Sequence, residues 1–480
     1  MSNHIGWNLQ HTYHQLPAAL FSEQEPVPVK VPETVLFNSA LAQELGLAGL
    51  QEQADQIQTI FSGNQLPPGS QPLAQAYAGH QFGHFTMLGD GRAVLLGEQV
   101  KPDGGSVDIQ LKGSGRTPYS RRGDGRATVS SMLREYIMSE AMHHLGIPTS
   151  RSLAVVKTGE KIYREPIQEG AVLTRIASSH IRVGTFEYVR QFTDRPTLEA
   201  FLDYVIQRHY PELAGHKNPA LALVGKVMER QLELVVQWLR VGFIHGVMNT
   251  DNMSIAGETI DYGPCAFMNA YDPKTVYSSI DRNARYAFGN QANITYWNLA
   301  VLANALLPLF ATNQEKGIEL AKEVLEQFPD AFAKRWYHML FQKIGIAQPQ
   351  EGDKVLIDNL LELLQNNQVD YTNAFAALTW DRLPDQAFFH ESGFQNWKAS
   401  WEARLAQSGD RTEAIALMKR TNPVTIARNH LVEEALDAAV IGNLKPVEDL
   451  LERLKTPYAW REFQGVPEGF DVAYQTFCGT

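Results

Sequence analysis

Hydrophobic and polar positions change period along this chain, and the changes mark out its elements. Over 92–99 and Ser106–Lys112 the pattern predicts two strands, joined by the turn Lys101-Pro-Asp-Gly-Gly105. In the second strand Val107, Ile109 and Leu111 face one way, and Asp108, Gln110 and Lys112 the other. Lys112 therefore ends a strand on its polar side. A Gly/Arg-rich loop over 113–126 follows, reading GSGRTPYSRRGDGR. Val129, Met132, Leu133, Tyr136, Ile137, Ala141 and Leu145 then recur at helical spacing, and Gly146-Ile-Pro148 stops the helix. The stretches 153–158 and 171–176 read as further strands. Beyond about residue 195 the helical period dominates, apart from a hairpin predicted over 253–261. The first ninety residues are mixed: Pro-interrupted segments, a short helix near 38–47 and a loop rich in Gly, Pro and Gln over 63–72.

This order gives an α+β, two-lobed plan. Residues 1–90 are expected to form an N-terminal extension packed on the core, and 91–190 a strand-rich lobe with one long helix. Residues 191–480 form a helical lobe with the hairpin, extra C-terminal helices and a tail. Composition is that of a globular protein, with 44% hydrophobic and 20% charged residues. A net charge of −11 offers no global field for nucleic acid or an anionic membrane, so neither is expected as a partner. Two cysteines, Cys265 and Cys478, are too few for a disulfide framework or a zinc site and suit a reducing, cytoplasmic setting. The start of the chain lacks the basic-then-apolar pattern of a secretory signal. The longest apolar stretch, 299–311, is interrupted by Asn304 and Pro308 and falls short of the roughly 18 residues a membrane span needs.

The chemistry concentrates in His245-Gly-Val-Met-Asn-Thr-Asp251-Asn252, followed nine residues later by Asp261-Tyr262-Gly263. Protein kinases use H-R-D-x-x-x-x-N, a hairpin, then D-F-G, whose Asn and Asp hold magnesium against ATP phosphates. The His-to-Asn spacing is kept here, which makes Asn252 and Asp261 the candidate metal ligands. Upstream, Lys112 closes a strand and Glu135 lies on the next helix, matching the kinase Lys–Glu ion pair. Helical phase by itself would turn Glu135 outward and favour Glu140. The position of the kinase catalytic Asp falls at Val247, which cannot accept a proton; an acid stands instead at Asp251. Ordinary phosphoryl transfer is therefore not expected. His80 and His84 lack a third ligand and sit between glycines, so zinc is set aside; His245 reads as a structural hydrogen-bonder.

Long stretches of the chain resemble the selenoprotein O family of kinase-like protein adenylyltransferases. They are PLAQAYAGHQFGHFTMLGDGRAVLLGE (72–98), DIQLKGSGRTPYSRRGDGRA (108–127), LREYIMSEAMHHLGIPTSRSL (133–153), GFIHGVMNTDNMSI with TIDYGP (242–264), and NPVTIARNHLVEEAL (422–436). The resemblance implies a protein-kinase-like fold in which ATP lies flipped, its α-phosphate facing the acceptor. It implies AMP transfer to Ser, Thr or Tyr hydroxyls of proteins with release of pyrophosphate, and leaves open UMP transfer with manganese. By position, Gly89, Gly91, Arg92, Lys112, Asp124, Gly125, Arg175, Arg182 and Asp261 would contact the nucleotide. Asn252 and Asp261 would hold magnesium, and Asp251 would act as base. The resemblance also makes Cys478 a redox candidate; Cys265, two residues beyond Asp261-Tyr262-Gly263, is suggested as its partner by its position alone, and two unrelated thiols are the alternative. The stretch 422–436 is expected to be a helix with a Pro near its start, and its Arg428 and His430 have no assigned role.

The residue types suit that chemistry. Pyrophosphate leaves with most of the charge, and Lys112, Arg175 and Arg182 supply one point charge and two forked cations. Asn252 and Asp261 offer the hard oxygens that magnesium or manganese prefers. The competing reading is a silent ATP-binding pseudokinase scaffold. Loss of the H-R-D Asp favours it, and retention of Lys112, Asn252 and Asp261 opposes it.

Overall fold

The computed structural model describes residues 5–164, 167–407 and 409–477. A nine-stranded antiparallel sheet builds the first lobe. Its strands are β1 (Leu9–Gln10), β2 (Phe21–Glu23), β3 (Glu33–Phe37), β4 (Leu73–Gln75), β7 (Ala93–Val100), β8 (Ser106–Lys112), β9 (Ala127–Thr128), β10 (Arg151–Ile162) and β11 (Gln168–Ala177). A separate hairpin pairs β5 (Ala78–Gln81) with β6 (His84–Met87). The main sheet runs in the order β2-β4-β7-β8-β11-β10-β3, with β1 on β7 and β9 on β11. The first ninety residues thus contribute four strands to the sheet and do more than pack upon it. They enter on both sides of the central strands, which their own sequence could not reveal.

Both faces of the sheet are covered. Val94, Leu96, Ile109, Leu111, Val172 and Ile176 pack beneath Leu41, Ile57 and Phe61 from the short helices of the first ninety residues. Leu95, Val155 and Leu173 on the other face join Leu133 and Ile137 of the helix Val129–His144. That second face carries the polar residues of β8. Asp108, Gln110 and Lys112 are all buried, so the alternation seen in sequence separates two interiors and not interior from water. Register places Lys112 opposite Ala93 and Leu173, and Gln110 opposite Arg175. Lys112 and Arg175 therefore emerge on one face of adjacent strands.

The second lobe is helical from Arg195–His209 onward. Its longest helix, Pro219–Val241, starts at Asn218, whose side chain caps Leu221, and stops at Gly242 in the left-handed region (φ 76°). Directly after it, β12 (Phe243–Ile244) pairs with β13 (Ala266–Phe267). This short ladder closes the loop that carries His245 through Cys265. Within it the expected hairpin is reduced to a single bridge, Met253 to Thr259. No helix among the described residues is long and apolar enough to cross a membrane.

The stretch 422–436 departs from expectation. Its helix is Asn429–Val440, and 422–428 runs irregularly. The Val424 and Thr425 N–H groups both donate to the Pro457 carbonyl, which takes them out of any helical ladder. Arg428 is wholly buried and spans Asp370, Asn269 and Asn373 at 2.6–3.0 Å. Arg428→Met should lower unfolding stability by about 3 kcal/mol, because it strands the Asp370 carboxylate. The shift of the urea midpoint relative to the parent protein measures this.

Candidate active site

Where the sheet meets the loop between β12 and β13, five charged side chains converge. Lys112 Nζ lies 2.6 Å from Glu135 and 2.7 Å from Asp261 Oδ1. Arg175 reaches the same two carboxylates, at 2.9 Å and 2.7 Å. Arg182 stands 3.8 Å from Asp261 Oδ2 and stacks on the Tyr77 ring at 4.2 Å. Three cations thus face two carboxylates at this pole, and the carboxyls of Asp90 and Asp251 stand close enough to act on Arg182 as well. Burial by itself would raise the Asp261 carboxyl, yet Arg175, Lys112 and Arg182 hold it well below the usual range. Glu135 is likewise lowered against the cost of burial, by Arg175 and Lys112. Burial, then the neighbouring Arg175 charge, pulls the Lys112 ammonium down.

The helix Val129–His144 touches two interiors, which settles the phase of its acids. Glu135 turns to Lys112, whereas Glu140 binds Arg151 at 2.8 Å and Asn38 at 2.9 Å on the other side. Both are buried.

A cavity of about 540 Å³ opens over this cluster. Gly89, Gly91, Arg92, Lys112, Asp124, Gly125, Arg175, Arg182, Asp251, Asn252 and Asp261 all border it, and Glu135 stands behind Lys112. The glycines serve the wall itself. Gly89 has φ 118°, and a Cβ there would lie 2.4 Å from the Tyr119 ring; one at Gly125 (φ 72°) would strike the Gly115 carbonyl. Asp124 sits at the rim, paired with Arg164 at 3.0 Å. Val247, in the place of a kinase's catalytic Asp, is a buried apolar wall residue.

Asp251 is set by its neighbours' lack of side chains. A Cβ on Gly79 would come within 2.6 Å of its Oδ1, and one on Gly184 within 3.4 Å of its Cα. That Oδ1 is buried with no hydrogen-bond partner. Burial raises the Asp251 carboxyl to about 6, with Arg182 pulling the other way. A carboxylate of raised basicity beside a polar cavity can accept a proton. The same wall holds Asn249 and Asp90, to which the sequence assigned no role, and His80 lies close by. Asn249 accepts from the Phe82 N–H at 3.0 Å and the Tyr286 hydroxyl at 2.5 Å. His80 pairs with Glu187 rather than with His84, and its backbone N–H donates to Thr250 at 2.7 Å. Asp90 is buried between Gly89 and Gly91, accepting from the Gln75 N–H and the Gln110 amide.

The oxygens for a divalent cation are well presented. Asn252 donates its amide N–H to the Val247 carbonyl at 2.9 Å, which directs its amide oxygen elsewhere. Asp261 Oδ1 is shared by Lys112 and Arg175, while Arg182 stands 3.8 Å from Oδ2. One carboxylate and one amide oxygen on the cavity wall fit a hard cation such as magnesium or manganese. Cys265 is fully buried and borders no part of the cavity; burial pushes its thiol up to about 12. Cys478 lies outside the described residues.

Strand Lys, helix Glu, loop Asn and following Asp stand as in a protein kinase, around a site whose usual catalytic Asp is replaced. Comparison with known proteins agrees with that class and narrows it. The family model described as protein adenylyltransferase SelO matches residues 6–455. A protein nucleotidyltransferase YdiU of Geobacillus kaustophilus is 53% identical, covering 99% of each chain. Another, of Nitrosococcus oceani, is 50% identical over 99% of this chain and 98% of its own. The chain belongs to the SelO family of protein adenylyltransferases. Among solved structures, ROP2 from Toxoplasma gondii aligns with a TM-score of 0.25 and 11% identity. The alignment covers 69% of this chain and 87% of that one, a likeness too slight to bear on the fold.

Asp90 gives a pH signature that is independent of turnover. Burial raises its carboxyl from 3.8 to about 6. The folded protein therefore binds the proton more tightly than the unfolded chain, and ionisation costs stability as pH rises from about 4 to 6. Asp90→Asn removes this cost. Its stability relative to the parent should improve by about 2–3 kcal/mol between pH 4 and pH 7, read from urea unfolding of the nucleotide-free protein.

Proposed function

We propose that this protein transfers AMP from ATP to Ser, Thr or Tyr hydroxyls of proteins and releases pyrophosphate. The observation that carries the reading is the cation-rich pole of the cavity, Lys112, Arg175 and Arg182, facing a base at Asp251 instead of at position 247. Flipped ATP would lay its β- and γ-phosphates on that pole, with Gly89, Gly91, Arg92, Asp124 and Gly125 along its length. The acceptor oxygen bonds to the α-phosphorus as the bond to the bridging α–β oxygen breaks. Asp251 takes the hydroxyl proton, and pyrophosphate carries away the displaced electron pair. The pole stabilises the charge that develops there. Magnesium, or manganese, held by the Asn252 and Asp261 oxygens would neutralise phosphate charge when bound.

A silent scaffold has no need of three clustered cations beside a base, and the family's description runs against it. The decisive experiment supplies ATP labelled at the α or the γ phosphate. Label from α should appear on protein, and none from γ. Asp261→Ala should abolish incorporation at ordinary magnesium concentration, and Arg182→Lys should rescue Arg182→Ala poorly, because an ammonium cannot reproduce the fork. Label from γ alone would make the protein a kinase. Replacing ATP and magnesium by UTP and manganese in the same assay tests UMP transfer.

A cytoplasmic location and a reversible Cys265–Cys478 disulfide complete the reading. Thr476, two residues before Cys478, donates its hydroxyl to the Pro264 carbonyl at 2.7 Å, so the tail reaches the neighbour of Cys265. Full burial of Cys265 opposes easy oxidation. Treatment with hydrogen peroxide followed by non-reducing digestion should yield a 265–478 crosslinked peptide that dithiothreitol removes. Absence of that peptide would end the pairing.

A further inference from the structure

The Asp261 backbone is held in the left-handed region, at φ 61°, which few side chains adopt without support from their surroundings. Two cationic or basic side chains bracket it. Upstream, His245 Nε2 lies 3.0 Å from the Ile260 carbonyl. Downstream, Arg134 Nε donates to the Gly263 carbonyl at 3.3 Å and Nη2 to the Cys265 carbonyl at 2.8 Å. Gly263 in turn donates its N–H to the Asp261 carbonyl at 2.8 Å.

Arg134 does not end there. Its Nη1 binds Glu433 at 2.7 Å and its Nη2 the Tyr474 hydroxyl at 3.1 Å; that hydroxyl also donates to Glu433 at 2.7 Å. Glu433 belongs to the helix Asn429–Val440, and Tyr474 follows the short helix Phe470–Ala473 near the end of the chain. Asn429 clamps the next residues from the same helix. Its amide accepts from the Phe267 N–H at 3.0 Å and donates to the Phe267 carbonyl at 2.8 Å. Backbone groups of Gly263, Cys265 and Phe267 are thus anchored on the last part of the chain.

From these contacts we infer that Arg134 is a positioning residue for AMP transfer: it fixes the metal-side segment Asp261-Tyr262-Gly263 against the C-terminal helix and tail. It stands one residue before Glu135. Adjacent positions of one helix therefore hold Asp261 by two routes, Glu135 through the ions Lys112 and Arg175, and Arg134 through the backbone beyond it. In protein kinases the segment after D-F-G moves to switch the site. Here a nine-tenths buried guanidinium with four partners pins its start, so the tail is part of what keeps Asp261 placed.

The activity readout rests on the proposed AMP transfer; the structural readout does not. Full-length Arg134→Ala, Arg134→Lys and Tyr474→Phe are compared with the parent protein in reductant, so that thiol chemistry plays no part. Hydrogen exchange at 262–268, half-saturating Mn²⁺ and kcat for α-label incorporation are measured. Tyr474→Phe removes a single hydroxyl and should speed exchange, raise the Mn²⁺ requirement and lower kcat several-fold. Arg134→Ala should cost about tenfold or more in kcat with ATP binding in the absence of metal unchanged. Arg134→Lys should recover little, since one ammonium cannot span the four partners. If Arg134→Ala does not fold, Tyr474→Phe decides. Unchanged exchange and Mn²⁺ dependence overturn the inference, even where kcat falls. If the parent transfers no AMP, the functional reading fails alone, and exchange still judges the clamp.

Discussion

One carboxylate organises this molecule. Asp261 is half-buried among Lys112, Arg175 and Arg182, and no two of those cations belong to the same element. Lys112 closes β8, Arg175 lies on β11, and Arg182 precedes the helix Val183–Phe192. Removing charges from water is costly, and their attraction offsets the cost only when the geometry is good. The cluster is therefore intolerant of slippage. A one-residue shift of β8 against β11 would turn Lys112 to the opposite face. The site in this sense dictates the register of the sheet as much as the sheet presents the site.

Much of this was readable from residues alone. The alternation in β8, the helix Val129–His144 and the spacing from His245 to Asp261 predicted Lys112, Glu135, Asn252 and Asp261 as neighbours. The structure brings the first, second and fourth into direct contact. What could not be read has a common physical cause. Periodicity reports that a face is polar, not whether that face meets water; Asp108, Gln110 and Lys112 share the polar side of β8 and are all buried. Helical phase placed Glu135 outward because it assumes one buried face, and this helix has two.

Roles that depend on distant backbone were equally hidden. Gly79 is needed because Asp251 occupies the place of its side chain, some 170 residues later in the chain. Arg428 and Asn429 sit in a stretch whose hydrophobic content suggested a longer helix. Their partners are Asp370, Asn269 and the backbone of Phe267, which no local pattern could nominate. Arg134 is the extreme case, since its partners lie 129 to 340 positions away.

The interleaving of β1–β4 with the later strands bears on how such a protein can be cut and recombined. A chain begun at residue 91 would leave β7 without β1 and β4, and β10 without β3. It would also bare the apolar sheet face that Leu41, Ile57 and Phe61 cover. Open strand edges beside an uncovered apolar face invite association between copies. The candidate site is thus no transplantable module: β7 and β10, which flank the site-bearing β8 and β11, are completed by segments synthesised before them, and grafting the motif-bearing region alone would leave behind part of the sheet that aligns it.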